Sequence, residues 1–444
     1  MRAQPTTQPP AKIEKLADDR VTQIRKYKLI TPLFGGGVKP GENDPLTPIS
    51  GKAIRGHLRF WWRATRGGLT PEEISAIAEA DEKKKQSAML RKMKEKEDRI
   101  WGAASTEKKK APSSVQVHVE IIPDKQGKRG EVIRFTSPDY GYITFPLDEN
   151  NKFVMDGLRF ALELSYPKNL EAEVRAAVSA WEIFGGAGAR TRRGFGAVHL
   201  TSIVGGSIEA LPENAEAWKK KITDEVAKVA GRVWPKGVPH IESNAQFNFT
   251  KLRSGNSEQE AIKEAWKELV SKIKGFRQLR SGYSRSHWPE PEKIRELTSQ
   301  RLPRHKPLPN KLDEFPRAAF GLPIIFHFKH SDKDTPDNPN KDPRDTSLQL
   351  ENHERLASPV ILRPLPCLGN KAVGLAIVLN SGAALEEMKF VLKAKQGKAF
   401  SKPVKVTLDD SNKAKMIIRP DTKKPLLGEE TDVLKAFLNY VTEE

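Results

Sequence analysis

The stretch GLRFALELSYPKNLEAEVRAAVSAWEIFGGAGARTRRGFGAVHLTSIV, residues 157–204, decides the fold. Residues 157–166 alternate apolar and polar side chains, the period-two pattern of a strand with one buried face. Residues 170–184 switch to helical spacing, with Val174, Val178 and Trp181 on one stripe. The loop GGAGARTRRGFG, residues 185–196, then enters a second strand-like run at 197–204.

Upstream, the same alternation of element types recurs. Residues 25–34 (RKYKLITPLF) read as a strand ending at Gly35–Gly36–Gly37. Residues 50–66 are helical and stop at Gly67–Gly68. Thr70-Pro71-Glu72-Glu73 starts a further helix, with an N-cap, a proline and two acids in its first turn, predicted to run on toward Ile100–Trp101–Gly102. Residues 114–122 alternate as a strand, and 131–146 suit an irregular hairpin. The succession strand, helix, strand, strand, helix, strand is the split βαβ order of a ferredoxin-like domain.

Downstream, residues 205–240 suit a connection with one helix. A second pattern begins with a strand at Gln246–Leu252 and a helix at Glu258–Ile273. Apolar segments follow at 322–328, 358–366 and 371–380, with a closing helix at 431–441. The expectation is an α+β protein of two tandem ferredoxin-like (RRM-like) domains with helical and loop insertions. Its parts are a flexible segment 1–24, a first domain 25–210, a linker region 211–240, and a second domain 241–444 with a mobile loop at 331–347.

Charge narrows the function. The 444 residues carry 76 Lys+Arg against 57 Asp+Glu, a net charge of +19, and the excess divides as +9 over residues 1–210 and +10 over the rest. A folded chain that is basic throughout suits a long polyanion, and nucleic acid is the usual one. No stretch approaches the ~18 uninterrupted apolar residues of a membrane span, and the first fifteen residues lack a secretory apolar block. Cys367 is the only cysteine, which excludes an intramolecular disulfide or a cysteine-rich zinc site and suits a reducing cytoplasm.

Three segments carry the charge in a form that suggests contact. On the helix at 50–66, Lys52, Arg55, Arg59, Arg63 and Arg66 fall within about 80° of one another at 100° per residue. Like charges on one stripe repel, and phosphate oxygens would neutralise them through bidentate guanidinium contacts. A solvated face paired to acids elsewhere is the plainer alternative. The loop at 185–196 is no Walker A loop, because it follows a helix, enters a strand and lacks GK[ST]. Gly185, Gly186 and Gly188 would let a bent single strand approach the backbone, with Arg190, Arg192, Arg193 and Phe195 beside it. Residues 272–306 hold ten Lys/Arg, including Arg277, Arg280, Arg285 and Arg295, against three acids, with Phe276, Tyr283, His287 and Trp288 interleaved. No catalytic or metal-binding constellation is evident. His57 is the best general-base candidate, and it leans toward the apolar side of its helix.

The segments LITPLFGGG (29–37), IRGHLRFWWRA (54–64), IWG (100–102), GGAGARTRRGFG (185–196), SRSHWPEPEKIR (284–295), FGLPIIFHF (320–328) and RLASPVILRP (355–364) resemble the RAMP superfamily of CRISPR-associated RNA-binding proteins. Within it they are similar to the RAMP subunits of the type III-B effector, the Cmr complex. The resemblance implies tandem ferredoxin-like domains and a non-catalytic subunit near the crRNA 3′ end, without a cofactor. Its partners would be crRNA, target single-stranded RNA and other Cmr RAMP subunits, with no membrane. The expected RNA contacts are Lys52, Arg55, Arg59 and Arg63, then Gly185, Gly186, Gly188, Arg190, Arg192, Arg193 and Phe195, then Arg285, His287, Trp288 and Arg295. The rivals are a metal-independent endoribonuclease that processes CRISPR repeats, with His57 as base, and a protein-binding scaffold. The charged stretch 71–110 and residues 381–444 have no counterpart in these motifs.

Overall fold

The computed structural model describes residues 19–37, 42–44, 46–79, 81–104, 111–144, 153–280, 285–308, 311–329, 331, 338–353, 355–381, 385–394 and 401–443. The first half runs β1 (Arg20–Leu29), α1 (Gly51–Thr65), α2 (Pro71–Ser75), α3 (Glu82–Trp101), β2 (Gln116–Ile122), β3 (Glu131–Arg134), α4 (Gly141–Thr144), β4 (Phe153–Asp156), β5 (Arg159–Pro167), α5 (Glu171–Phe184) and β6 (Val198–Ile203). Strands β2, β5, β1 and β6 form one sheet in that order, and every neighbouring pair is antiparallel. Ser50 caps α1 by accepting from the Ala53 N–H, and Gly67–Gly68 follow its end. Helices α1 and α5 pack together on the sheet face that carries Tyr27, Phe160, Leu162 and Leu164. Trp62 and Trp181 are fully buried there.

Three expectations change in this half. Strand β1 begins at Arg20, so residues 20–24 belong to the sheet and not to a flexible segment; the rest of that segment, residues 1–18, lies outside the described residues. The helix expected from Thr70 to Trp101 is two helices, because Asp81 caps a fresh start by accepting from the Lys84 N–H. Strand β3 pairs with β4, some twenty residues away, with α4 between them.

The second half runs α6 (Ala215–Ala227), β7 (Phe247–Phe249), β8 (Arg253–Ser254), α7 (Glu258–Gln278), α8 (Glu290–Thr298), β9 (Ile324–Phe326), β10 (Thr346–Leu350), β11 (Val360–Cys367), β12 (Lys371–Val378), β13 (Phe390–Ala394), β14 (Ser401–Val404), α9 (Ser411–Lys415) and α10 (Val433–Thr442). It holds two four-stranded sheets: β11-β12-β7, with β8 also on β12, and β14-β13-β10-β9. Sheet β14-β13-β10-β9 and helix α8 were not foreseen. Of the loop expected at 331–347, residues 332–337 lie outside the described residues. The remainder is tied down: Asp342 is buried and paired to Arg295, and Thr346 and Ser347 open β10.

The two halves share one core. Ile361, Leu365 and Cys367 of β11 and Val373, Leu375 and Ile377 of β12 join the cluster built on α1, α5 and the first sheet. Helix α6, in the segment expected as a linker, buries Trp218 and Ile222 in the same cluster, and the Trp218 indole donates to the Pro366 carbonyl at 3.0 Å.

Candidate nucleic-acid interface

The basic stripe of α1 is largely neutralised from within the protein. Arg59 donates to the Glu97 carboxylate, to Asp98 at 3.1 Å and to the Gly102 carbonyl at 3.0 Å. Arg63 donates to both Glu97 oxygens, at 2.7 and 2.8 Å, and Arg66 reaches Glu173 at 3.1 Å. Glu97 is completely buried. Burial alone would raise its carboxyl, yet the hydrogen bonds from Arg63 and Arg59 hold it below the usual value. The anion that the stripe demands is therefore a carboxylate on α3, which corrects the phosphate assignment for Arg59 and Arg63. Lys52 is exposed and Arg55 half-buried, and neither bonds a described side chain.

The glycines of 185–196 serve packing. A Cβ on Gly185 would strike the Trp61 indole nitrogen, and one on Gly196 (φ +62°) the Ala187 carbonyl. Gly186 lies against the Gly196 carbonyl and Gly188 (φ +78°) against that of Phe34, each leaving 2.7 Å for an added Cβ. The loop is closed by backbone bonds of 2.8 Å from Ala187 N to Gly196 O and from Gly196 N to Pro32 O. Phe195 is fully buried, 5.0 Å from the Trp266 ring and 5.5 Å from Phe135. Gly185, Gly186, Gly188 and Phe195 thus seat the loop against α1, α7 and the 31–34 segment, which corrects their reading as a ligand cradle.

The loop arginines differ from those of α1. Arg190 sits in the left-handed region (φ 58°) and donates to Ile143 O at 2.9 Å. Arg192 donates to Ser358 O and lies 5.5 Å from the Phe60 ring; Arg193 reaches Val360 O at 3.3 Å. Their acceptors are neutral carbonyls, and none of the three pairs with a described carboxylate. Burial depresses all three guanidinium groups, and for Arg193 burial and then the charge of Arg277 bring it to about 10, so it stays charged at neutral pH. Unscreened like charges a few Å apart cost on the order of 1–4 kcal/mol per pair. That is the electrostatic condition of an anion site.

Of the third segment, two residues are structural. Trp288 is fully buried, its indole donating to Phe276 O at 2.7 Å, and Arg295 is buried on Asp342 at 2.8 Å. Both corrections follow from α8, which turns this part of the segment inward. Arg285 is half-buried and donates to Lys306 O at 2.9 Å; half-buried His287 donates its backbone N–H to Leu279 O at 2.9 Å. Tyr283 lies outside the described residues. The fold therefore brings Arg193 close enough to Arg277, near the C-terminal end of α7, for the two charges to interact, and it leaves Lys52 and Arg55 on α1.

His57 is depressed to about 4 by burial and makes no hydrogen bond to a described residue, so nothing orients it as a base. Among the described residues no group of three or more His, Cys, Asp or Glu side chains is arranged around a metal position, and no helix is long and apolar enough to cross a membrane.

Fold and site together define a mixed α+β protein with a glycine–arginine loop wedged against a second α+β half. Residues 26–199 match the family model of the RAMP superfamily. Among solved structures, the chain is similar to Cmr1 from Pyrococcus furiosus in its apo form, at 17% identity and a TM-score of 0.46, over 81% of this chain and 88% of that one. It is also similar to a chain of the type III-B Cmr-beta complex bound to cognate target RNA, at 12% identity and a TM-score of 0.46, over 95% and 99%. No curated protein matches the sequence.

Proposed function

We propose that the chain is a non-catalytic RNA-binding subunit of a type III-B CRISPR effector, a counterpart of its first RAMP subunit. It would help capture target RNA near the crRNA 3′ end and pack against neighbouring RAMP subunits in antiviral defence. The observation that carries the reading is the set of loop arginines, Arg190, Arg192 and Arg193, held without a carboxylate among the described residues in a protein that neutralises its other arginine stripe. The superfamily match over 26–199 and the motifs in both halves support it. In the same reading both halves follow one ferredoxin-like plan, because β7, α7, β11, β12 and α10 repeat the order β1, α1, β2, β5 and α5 and place the strands 2-3-1 as the first sheet does.

A labelled single-stranded RNA titrated at two salt concentrations in EDTA, then run on a denaturing gel, tests this. The expected result is salt-sensitive binding with intact RNA, weakened in an Arg190→Gln/Arg192→Gln variant with a flatter salt slope. Specific cleavage of the RNA would reject the non-catalytic role. Unchanged affinity in the variant would remove the loop from the interface.

A further inference from the structure

Sequence singled out Arg277 and Arg280 only as members of a basic run, yet their placement separates them from it. Three members of that run, all beyond residue 290, are neutralised: Arg295 by Asp342, Arg301 by Glu292 at 2.5 Å, Lys293 by Asp313. Arg277 and Arg280, at the C-terminal end of α7, make no ion pair with any described residue. The Arg277 guanidinium lies 5.4 Å from the Phe320 ring, and its Nε is buried without an acceptor. Exposed Arg280 stands beyond it, near Arg317, whose own charge is already met by Glu290 at 3.1 Å.

A cation at a helix C-terminus interacts favourably with the helix dipole, and that accounts for one arginine here. It does not account for a buried, unsatisfied Nε, nor for the charge of Arg193 brought close to the same side chain. Arg193 arrives from the opposite half, anchored by Trp266, whose indole donates to Arg193 O at 2.8 Å. Trp266 and Arg277 stand eleven residues apart on α7, three helical turns, and so share a face. Charges of one sign from two elements, with the Val360 carbonyl that Arg193 reaches as their one acceptor among the described residues, are satisfied by an oxyanion that accepts from both guanidinium forks. Half-buried Tyr142, close enough to Arg193 to influence its charge, adds an aromatic ring at the same place.

We propose that Arg277 and Arg280 form, with Arg193, the second wall of a phosphodiester-binding site that exists only where the two halves meet. This rests on the RNA-binding reading above. The 190–193 loop holds one side of the strand and the end of α7 the other, so neither half binds it alone.

The test uses the full chain and labelled single-stranded RNA. Arg277→Gln/Arg280→Gln should weaken binding at least tenfold and flatten the slope of log affinity against log salt by about 1.4, the value for two lost phosphate contacts to a single strand. Lys274→Gln, an exposed cation on the same helix, should leave both unchanged. The single Arg280→Gln, at an exposed position, keeps the test valid if the double variant folds poorly, and should give half the slope change. Failure of the wild-type chain to bind RNA would reject the RNA-binding reading itself. Wild-type binding with both variants unaffected would overturn only the α7 site. Displacement of the RNA by polyglutamate as readily as by polyphosphate would also overturn it, in favour of an acidic protein surface.

Discussion

Glu97 meets two guanidinium groups with one carboxylate and has no contact with water. Replacing it by glutamine leaves Arg59 and Arg63 facing a neutral amide, and Glu97→Gln should cost about 2–4 kcal/mol in chemical denaturation. The pH dependence has a definite sign. The folded carboxyl lies below its ordinary value of 4.5, so its stabilisation is complete above that pH and is lost as pH falls through the folded value. The wild-type chain should therefore lose stability on acidification more steeply than Glu97→Gln. A parallel acid limb in the two proteins would show that Glu97 is not held as described. The α1 stripe was legible from helical periodicity, because that depends only on neighbours. Its counter-charge was not, because Glu97 lies 38 residues away, on a helix whose packing no local pattern dictates.

The loop at 185–196 shows the same limit for a whole element. Glycine content announces an unusual backbone, and Gly188, Gly194 and Gly196 do adopt positive φ. What the backbone approaches is a tertiary fact: here it is Trp61, Ala187, Phe34 and Trp266 of the protein itself. Gly196→Ala should destabilise the chain by at least ~2 kcal/mol without RNA, from overpacking and a disfavoured φ. Gly56→Ala is the opposing control, since Gly56 is at an exposed position of α1 and nothing lies within 4 Å of its Cβ position. It should stabilise by roughly 0.5–1 kcal/mol. Equal denaturation midpoints for the two variants would contradict the packed loop. Strands β1, β2, β5 and β6 were readable because their alternation faces a single apolar layer. Strands β10, β13 and β14 were not: they are short, and β14 contains Pro403 and two exposed polar side chains.

At the scale of the molecule, the division into 25–210 and 241–444 has no counterpart in the core. Side chains from β11 and β12 complete the cluster that α1, α5 and α6 begin. A chain cut anywhere between the halves exposes that surface on both pieces, so neither piece should show a cooperative transition alone. The intact chain should unfold in one step with coincident fluorescence and far-ultraviolet signals; separated transitions would restore the two-domain picture. Hydrophobic runs such as 358–366 and 371–380 announce strands, but not which half those strands complete.

Cys367 closes this junction. It is buried in the shared core, and burial pushes its thiol up to about 11, so it presents neither access nor thiolate to a reagent. As the only thiol in the chain, it acts as a built-in clock for the parting of the halves. The rate at which it is modified in the native protein counts openings of the junction, and a polyanion bound between Arg193 and the end of α7, as proposed, would slow that count.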